Sequence, residues 1–102
     1  VDMDRRLKEK YENINVLLWG HIGDNNLHVC AYTGLAEDKA RINQDIMLMI
    51  GEYGGAITAE HGIGVLKREF LPLSRSDSEI ALMRTIKLAM DPKNILNPGR
   101  VI

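Results

Sequence analysis

A short turn-forming segment constrains the fold of this chain more than any other feature. Residues 23–26 read Gly-Asp-Asn-Asn, and these residue types are common in tight turns because they tolerate a positive φ. A β-prone apolar run, residues 16–19, precedes this segment, and an alternating stretch, residues 27–32, follows it. Two such stretches joined by turn residues predict a β-hairpin, with its turn centred between Asp24 and Asn25.

That turn centre determines which side chains share each face of the hairpin. His21 is then directly opposite His28, and opposed residues have Cβ atoms about 4.5–5.5 Å apart. Two imidazoles at that separation can share one metal ion. The other pairs predicted on this face are Trp19 with Cys30 and Leu17 with Tyr32. The opposite face is apolar and is predicted to face the helices, with the pairs Leu18–Ala31, Gly20–Val29 and Ile22–Leu27.

A second polar motif contains the remaining histidine. Residues 58–64 read Thr-Ala-Glu-His-Gly-Ile-Gly, so the three histidines of the chain all lie in two short motifs. Glu60 supplies an anionic ligand, and imidazole with carboxylate is a ligand set that binds zinc, manganese or iron. In an extended segment, neighbouring side chains point to opposite sides. We therefore expect Glu60 and His61 to have different roles, one at the metal and one facing a substrate or cofactor.

Structural explanations exist for the same residues. His21 and His28 can be ordinary polar neighbours across a hairpin, and residues 60–64 can be a loop with a charged tip. Lys67 can neutralise an acidic ligand, or it can belong with Arg68 to a solvated helix face. Cys30 is either a thiolate ligand or, as is usual for a lone cysteine on a strand, buried and inert. Trp19 and the methionines on the helices (Met47, Met49, Met83 and Met90) are predicted to be packing residues.

The rest of the chain predicts helices around the hairpin. Residues 2–13 and 37–53 have helical periodicity, and Gly54 follows the second of these. Ser76 and Glu79 form a capping box that opens a third helix, which ends at Asp91. Residues 56–59 are a strand candidate, and residues 65–70 predict a short helix stopped near Pro72. The buried helical faces are predicted to carry Ile42, Ile46, Met49, Ile50 and Tyr53, and then Ile80, Met83, Ile86 and Met90. The whole predicts an α+β fold, a small antiparallel sheet covered by helices.

The composition excludes several functional classes. The chain has 102 residues, of which 45% are hydrophobic, enough for one compact domain with a real core. Its net charge of -1 argues against a surface dedicated to nucleic acid. No apolar run approaches the roughly 20 residues of a membrane helix. A single cysteine, Cys30, excludes an internal disulfide and favours a reducing, cytoplasmic setting.

Three separated motifs, taken in order, resemble the C-terminal region of the FAD-linked oxidases, which are vanillyl-alcohol-oxidase-like flavoproteins. The motifs are residues 21–28, residues 60–64 with Lys67, and residues 91–100, which read Asp-Pro-Lys-Asn-Ile-Leu-Asn-Pro-Gly-Arg. This family includes D-lactate dehydrogenases, the flavin subunit of glycolate oxidase and D-2-hydroxyglutarate dehydrogenases. Two positions differ from its usual pattern. Asn25 replaces a glycine, and Cys30 replaces an asparagine that contacts substrate in some members.

The resemblance implies a role for each motif. His21, His28 and Glu60 are expected to bind a divalent metal, zinc or manganese. The resemblance places His61 near the flavin and the substrate α-carbon as a general base, and it places Asn97 beside the flavin. Asn26 and Lys67 are expected to contact the substrate.

The resemblance also implies a reaction and missing parts. We expect oxidation of a small D-2-hydroxy acid, with hydride transfer to FAD. FAD is held mainly by a separate N-terminal domain in this family. Residues 1–102 are therefore expected to be a single-domain C-terminal fragment that is inactive alone and self-associates through exposed apolar surface. In the parent enzyme, a peripheral location at the inner membrane is compatible with this expectation. Two alternatives are a stand-alone α+β binding or oligomerisation module and a metal-dependent hydrolase.

Overall fold

A computed structural model describes residues 2–102 and shows the α+β architecture expected from the sequence. The chain divides into two compact units, residues 1–50 and residues 51–102. The elements in order are α1 (Asp2–Lys10), β1 (Asn15–His21), a 3₁₀ turn (Ile22–Asp24), β2 (Asn26–Tyr32), α2 (Asp38–Glu52), a 3₁₀ helix (Arg68–Leu73) and α3 (Asp77–Met90). No helix within residues 2–102 has both the length and the apolar character needed to cross a membrane.

The first unit places the hairpin against two helices. Strands β1 and β2 form a two-stranded antiparallel sheet, which confirms the predicted hairpin. Helix α1 begins with acidic and ends with basic residues, an order that suits the helix dipole. The core of this unit consists of Leu7, Tyr11, Ile14, Ile42, Ile46 and Met49. Val16, Val29 and Ala31 of the sheet pack on that core, so one face of the hairpin is covered by helices.

A polar contact joins the end of α1 to α2. The Tyr11 hydroxyl donates to Asp45 Oδ2 at 2.5 Å, and Lys10 Nζ lies 2.7 Å from Asp45 Oδ1. Burial, together with the hydrogen bond to the carboxylate, raises the pKa of Tyr11 to about 12. Burial alone would raise the pKa of Asp45, but the bonds from Lys10 and Tyr11 outweigh it and hold that pKa below its ordinary value.

The second unit is built around the capped helix α3. Ser76 accepts from the Glu79 amide while the Glu79 carboxylate accepts from the Ser76 amide, which confirms the predicted capping box. Helix α3 ends at Met90, immediately before Asp91, as predicted. Ile57, Leu71 and Ile80 are the buried hydrophobic residues of this unit.

Several predictions for the helices and the segments between them were wrong. Residues 56–59 form no strand. The only sheet among the described residues is the two-stranded one, and residues 56–59 do not pair with it. The helix predicted at 65–70 is displaced to a 3₁₀ helix at 68–73, and Pro72 lies inside it rather than stopping it. Helical periodicity also overestimated burial, since a small unit cannot cover every apolar face. Met83 is only partly buried, and the exposed members of the predicted faces are Tyr53 (55%), Ile86 (50%) and Met90 (78%).

Candidate functional site

The hairpin turn is longer than predicted, and this changes the register. Residues 22–25 form the connection, with Asn25 in the left-handed region at φ 52° and its amide donating to the Ile22 carbonyl at 3.2 Å. His21 consequently pairs with Asn26, and Trp19 pairs with His28. The predicted direct pairing of His21 with His28 was therefore wrong, because the turn is centred between Gly23 and Asp24.

The shift of two residues preserves the faces of the sheet. Side chains alternate along a strand, so moving the register by two positions leaves each residue of the two strands on the face predicted for it. His21 and His28 therefore lie on one face as diagonal neighbours rather than as a direct pair. Diagonal neighbours in a sheet are about 7–8 Å apart, a separation that long and ring-bearing side chains can span.

An aromatic contact organises this face. The Trp19 and His28 rings stack with centroids 5.8 Å apart and planes 15° apart. Trp19 was predicted to be a packing residue, yet about half of it (54%) is exposed. The stack leaves the His28 ring held against an indole and His21 exposed beside it. We refer to Leu17, Trp19, His21, Asn26, His28, Cys30 and Tyr32 as the histidine face.

One of the two alternatives for Cys30 and one predicted pair of the hairpin were wrong. Cys30 is exposed rather than buried and inert, and it lies on the histidine face, as its predicted pairing with Trp19 required. Ile22 lies in the turn and is 98% exposed, so it does not pair with Leu27 on the apolar face. Leu18 and Leu27 are also largely exposed, and only Val16, Val29 and Ala31 of the sheet contact the core.

Glu60 and His61 lie at the tip of a loop in the second unit. Both are exposed, and the segment is bent rather than extended. Thr58 Oγ1 donates to the Gly62 carbonyl at 3.0 Å, which closes the loop across its base. Gly62 supplies the positive φ of 76° that this turn requires. Because the segment is bent, the alternation argument for separate roles of Glu60 and His61 does not apply, and their roles stay predictions.

Lys67 is hydrogen-bonded to the backbone just before the same loop. Its ammonium is partly buried and donates to the Ile57 carbonyl at 2.9 Å. An ammonium has three donors, so this bond leaves capacity for an acidic ligand. Arg68, by contrast, is exposed and donates to the Gly99 carbonyl at 3.0 Å.

The structure does not assemble a complete metal site from these parts. Within residues 2–102, no group of three or more histidine, cysteine, aspartate or glutamate side chains is close enough to hold a metal ion. His21 and His28 belong to the first unit, and Glu60 belongs to the second. The two imidazoles share a face and have the right donor chemistry, and the third ligand remains a prediction.

Residues 91–102 form a C-terminal tail that carries Asn97. Beyond Asn97, two hydrogen bonds join this tail to the rest of the second unit. The Val101 amide donates to the Gly64 carbonyl at 2.9 Å, and Arg68 holds the Gly99 carbonyl. Asn97 itself is in the left-handed region, at φ 47°. Next to it lies an open, mainly apolar pocket of about 530 Å³. Its lining residues are Gly64, Met83, Lys87, Leu96, Asn97, Arg100, Val101 and Ile102.

The burial and the hydrogen bonds of one residue in this tail were not predicted from the sequence. Asp91 was interpreted as a helix stop, yet it is 5% exposed and its carboxylate is fully engaged. Hydrogen bonding from Lys87 lowers its pKa, with further support from the amides of Leu96 and Ile95. Lys87 lies four residues before Asp91 on the helix, and that spacing was the available signal.

The three motifs of this chain occur together in a known protein family. The model of the family described as FAD linked oxidases, C-terminal domain, matches residues 1–101. The chain belongs to the FAD-linked oxidase C-terminal domain family. This confirms the resemblance drawn from the three motifs.

Curated relatives of this C-terminal domain include three kinds of enzyme. It is 37% identical to a D-2-hydroxyglutarate dehydrogenase of Stutzerimonas stutzeri (strain A1501), over 98% of this chain and 23% of the relative. It is 38% identical to the glycolate oxidase subunit GlcD of Bacillus subtilis (strain 168), over 90% of this chain and 20% of the relative. A D-lactate dehydrogenase of Archaeoglobus fulgidus is 38% identical over 94% of this chain and 22% of its own length. The chain thus spans about a fifth of the length of these relatives.

Proposed function

We propose that this C-terminal domain is part of a flavin-dependent dehydrogenase that oxidises a small D-2-hydroxy acid. The observation that carries the proposal is the match of nearly the whole chain to enzymes that are all named for small 2-hydroxy acids: D-2-hydroxyglutarate and D-lactate dehydrogenases and a glycolate oxidase subunit. The family match favours this function over a metal hydrolase or a stand-alone binding module. The cytoplasmic location and the self-association of the chain stay predictions.

The histidine face is the proposed place for substrate binding. His21 and His28 are diagonal neighbours there, and their donor chemistry suits a divalent ion such as zinc or manganese. We propose them as two ligands and Glu60 as the third. A divalent ion held there would supply Lewis acidity toward the substrate hydroxyl and carboxylate. Asn26 is directly opposite His21 and is proposed to orient the substrate by hydrogen bonding.

The loop of the second unit is proposed to supply proton transfer. His61 is exposed at the loop tip, where its imidazole is accessible to a substrate hydroxyl. A positioned imidazole can accept a proton as general base near neutral pH. The bond between Thr58 and Gly62 restrains the loop on either side of Glu60 and His61, which limits the positions open to both side chains. Lys67 is proposed to balance the negative charge of the substrate while it supports the loop.

Asn97 and its pocket are the proposed contact with the flavin. The pocket is mainly apolar and is also lined by the Asn97 amide and by Lys87 and Arg100, a lining that suits the edge of an aromatic ring system with polar atoms. When bound, FAD supplies the redox chemistry by accepting a hydride from the substrate α-carbon. The contribution of this chain is to orient the ring and to exclude water from one side of it. The main FAD contacts are proposed to lie in a part of the enzyme outside these residues.

The test is a substrate panel on the full-length protein. We expect a yellow protein whose visible flavin absorbance bleaches anaerobically when a D-2-hydroxy acid is added. D-lactate, glycolate, D-2-hydroxyglutarate and the L-enantiomers form the panel, and elemental analysis reports the bound metal. A colourless protein, or one whose flavin is bleached by no member of the panel, contradicts the proposed function.

A further inference from the structure

A buried carboxylate at the end of α3 organises the tail that follows it. Asp91 Oδ1 accepts from the Ile95 amide at 3.0 Å, and Asp91 Oδ2 accepts from the Leu96 amide at 2.9 Å. Oδ2 also accepts from the Lys87 ammonium, one helical turn earlier. Both carboxylate oxygens are therefore used, each on the backbone of the segment that leads directly to Asn97.

Lys87 connects the same two elements a second time. Its ammonium donates to the Leu96 carbonyl at 2.6 Å as well as to Asp91. The backbone of Leu96 is thus held at its N–H by Asp91 and at its C=O by Lys87. Because Leu96 immediately precedes Asn97, this pair of bonds determines the direction in which the chain enters Asn97. The Asp91 amide also bonds to the Lys87 carbonyl at 2.8 Å, which anchors the whole group to α3.

The conformation at Asn97 needs such a restraint. Asn94 and Asn97 both have positive φ, at 50° and 47°, a region that asparagine tolerates better than other non-glycine residues but does not prefer over extended or right-handed backbone. A segment with two such residues has little intrinsic preference for the observed path. Charged hydrogen bonds in a shielded position are the strong interactions available to hold it.

We infer that Asp91 and Lys87 form a lock that positions Asn97, and that both are positioning residues for the flavin contact. The inference rests on the proposed function for the contribution assigned to Asn97. Asp91 does not line the pocket beside Asn97, so its effect on the reaction passes through the path of residues 95–97. Lys87 also lines that pocket, which makes Asp91→Asn the decisive variant.

The experiment compares five variants of the full-length flavoprotein, one of which, Asn97→Ala, tests the proposed flavin contact itself. Asp91→Asn replaces one carboxylate oxygen with an NH₂ group, which cannot accept from a backbone amide. Lys87→Met removes the cation, and Lys87→Arg restores it. Asp45→Asn is the matched control, because Asp45 also bonds a lysine and a second donor but belongs to the first unit. Readouts are hydrogen exchange of residues 91–102, the visible flavin spectrum, kcat and KM.

We expect Asp91→Asn and Lys87→Met to speed amide exchange at residues 95 and 96 by about tenfold, since each variant removes bonds that restrain this segment. We also expect both to shift the flavin spectrum and to lower kcat by about 10- to 100-fold with little change in KM, because misplacing a reacting group slows the chemical step. Lys87→Arg should remain near wild type. Asp45→Asn should lower stability without changing the flavin spectrum.

Four results overturn the inference. The first is wild-type exchange and wild-type spectra in both Asp91→Asn and Lys87→Met. The second is an equal spectral shift in Asp45→Asn, which would identify a general loss of stability. The third comes from Asn97→Ala. If that variant keeps the wild-type spectrum and kcat, the role proposed for Asn97 is wrong and the lock loses its function. The fourth is a strong effect of Asn97→Ala with none of Asp91→Asn, which disproves the lock and leaves the role proposed for Asn97 in place.

Discussion

The indole of Trp19 stacks on the imidazole of His28, with the two ring planes only 15° apart. This contact exists because the hairpin register pairs the two residues directly across β1 and β2. Trp19 is the single tryptophan of the chain, so its fluorescence reports on one defined neighbour. The stack therefore gives a direct optical probe of the histidine face.

A metal titration uses that probe. We expect Zn²⁺ or Mn²⁺ to change Trp19 fluorescence in this chain, because binding to His28 alters the ring against which the indole stacks. His28→Gln should abolish the response and His21→Gln should weaken it. His61→Gln serves as the control and should retain it. A response that is unchanged in His28→Gln would show that the metal binds elsewhere.

The turn residue Asn25 gives a test of the hairpin. Its φ of 52° is accessible to asparagine and glycine but disfavoured for β-branched residues. We expect Asn25→Gly to fold as well as wild type, and Asn25→Val to lower the free energy of unfolding by about 1–2 kcal/mol. Urea denaturation measures both. Equal stability of the two variants would contradict the left-handed conformation.

The same turn shows what sequence could and could not predict. The residue types at 23–26 correctly predict a hairpin and the face of each side chain. They did not predict the register, because a four-residue connection and a two-residue turn are both compatible with Gly-Asp-Asn-Asn. The observed register differs from the predicted register by two residues, which is an even number. The two histidines therefore lie on one face, although they are not directly paired.

Burial was harder to predict than helices. The capping box at Ser76 and the helical periodicity of residues 2–13 are local signals. They located α3 and the start of α1 correctly, although α1 ends at Lys10. The exposure of Met90 depends on how much of the rest of the chain packs around α3. A local sequence pattern does not contain that information. The contacts of Asp91 were missed for the same reason, because its partners Ile95 and Leu96 meet it only after the tail turns back.

A core substitution tests the packing of the first unit. Ile42 is 2% exposed and belongs to the cluster with Leu7 and Met49, whereas Ile22 is 98% exposed in the turn. We expect Ile42→Ala to lower the free energy of unfolding by about 2–5 kcal/mol. The same change at Ile22 should alter it by less than about 0.5 kcal/mol. Thermal or urea unfolding of the two variants provides the comparison, and equal losses would contradict the assigned core.

The Tyr11 hydroxyl predicts an alkaline loss of stability. Its pKa is raised to about 12 from an ordinary value of 10.0, so the folded state holds this proton more tightly than the unfolded state. The resulting stability is fully present below about pH 10 and is lost as the pH rises toward the folded pKa. Tyr11→Phe should lack this component, so its stability difference from wild type should shrink as the pH rises above 10. A constant difference across that range would contradict the raised pKa of Tyr11 that burial and the bond to Asp45 produce.

Glu60 and His61 are adjacent but are proposed to act differently in the full-length enzyme. Glu60→Ala should lower the metal content, because it removes the anionic ligand proposed to join His21 and His28. His61→Ala should keep the metal. Mass spectrometry of the native proteins measures the metal content of both. Loss of metal in His61→Ala with retention in Glu60→Ala would reverse the assignment.

The most direct measurement is anaerobic single-turnover reduction of the flavin by a D-2-hydroxy acid, in wild type and His61→Ala. Wild type should show rapid bleaching of the flavin absorbance with the D-enantiomer. His61→Ala should bind the same substrate but reduce its flavin about 10²- to 10⁴-fold more slowly, the usual contribution of a general base. Equal reduction rates in the two proteins would contradict the role of His61. No reduction of the wild-type flavin by any D-2-hydroxy acid would contradict the proposed function as a whole.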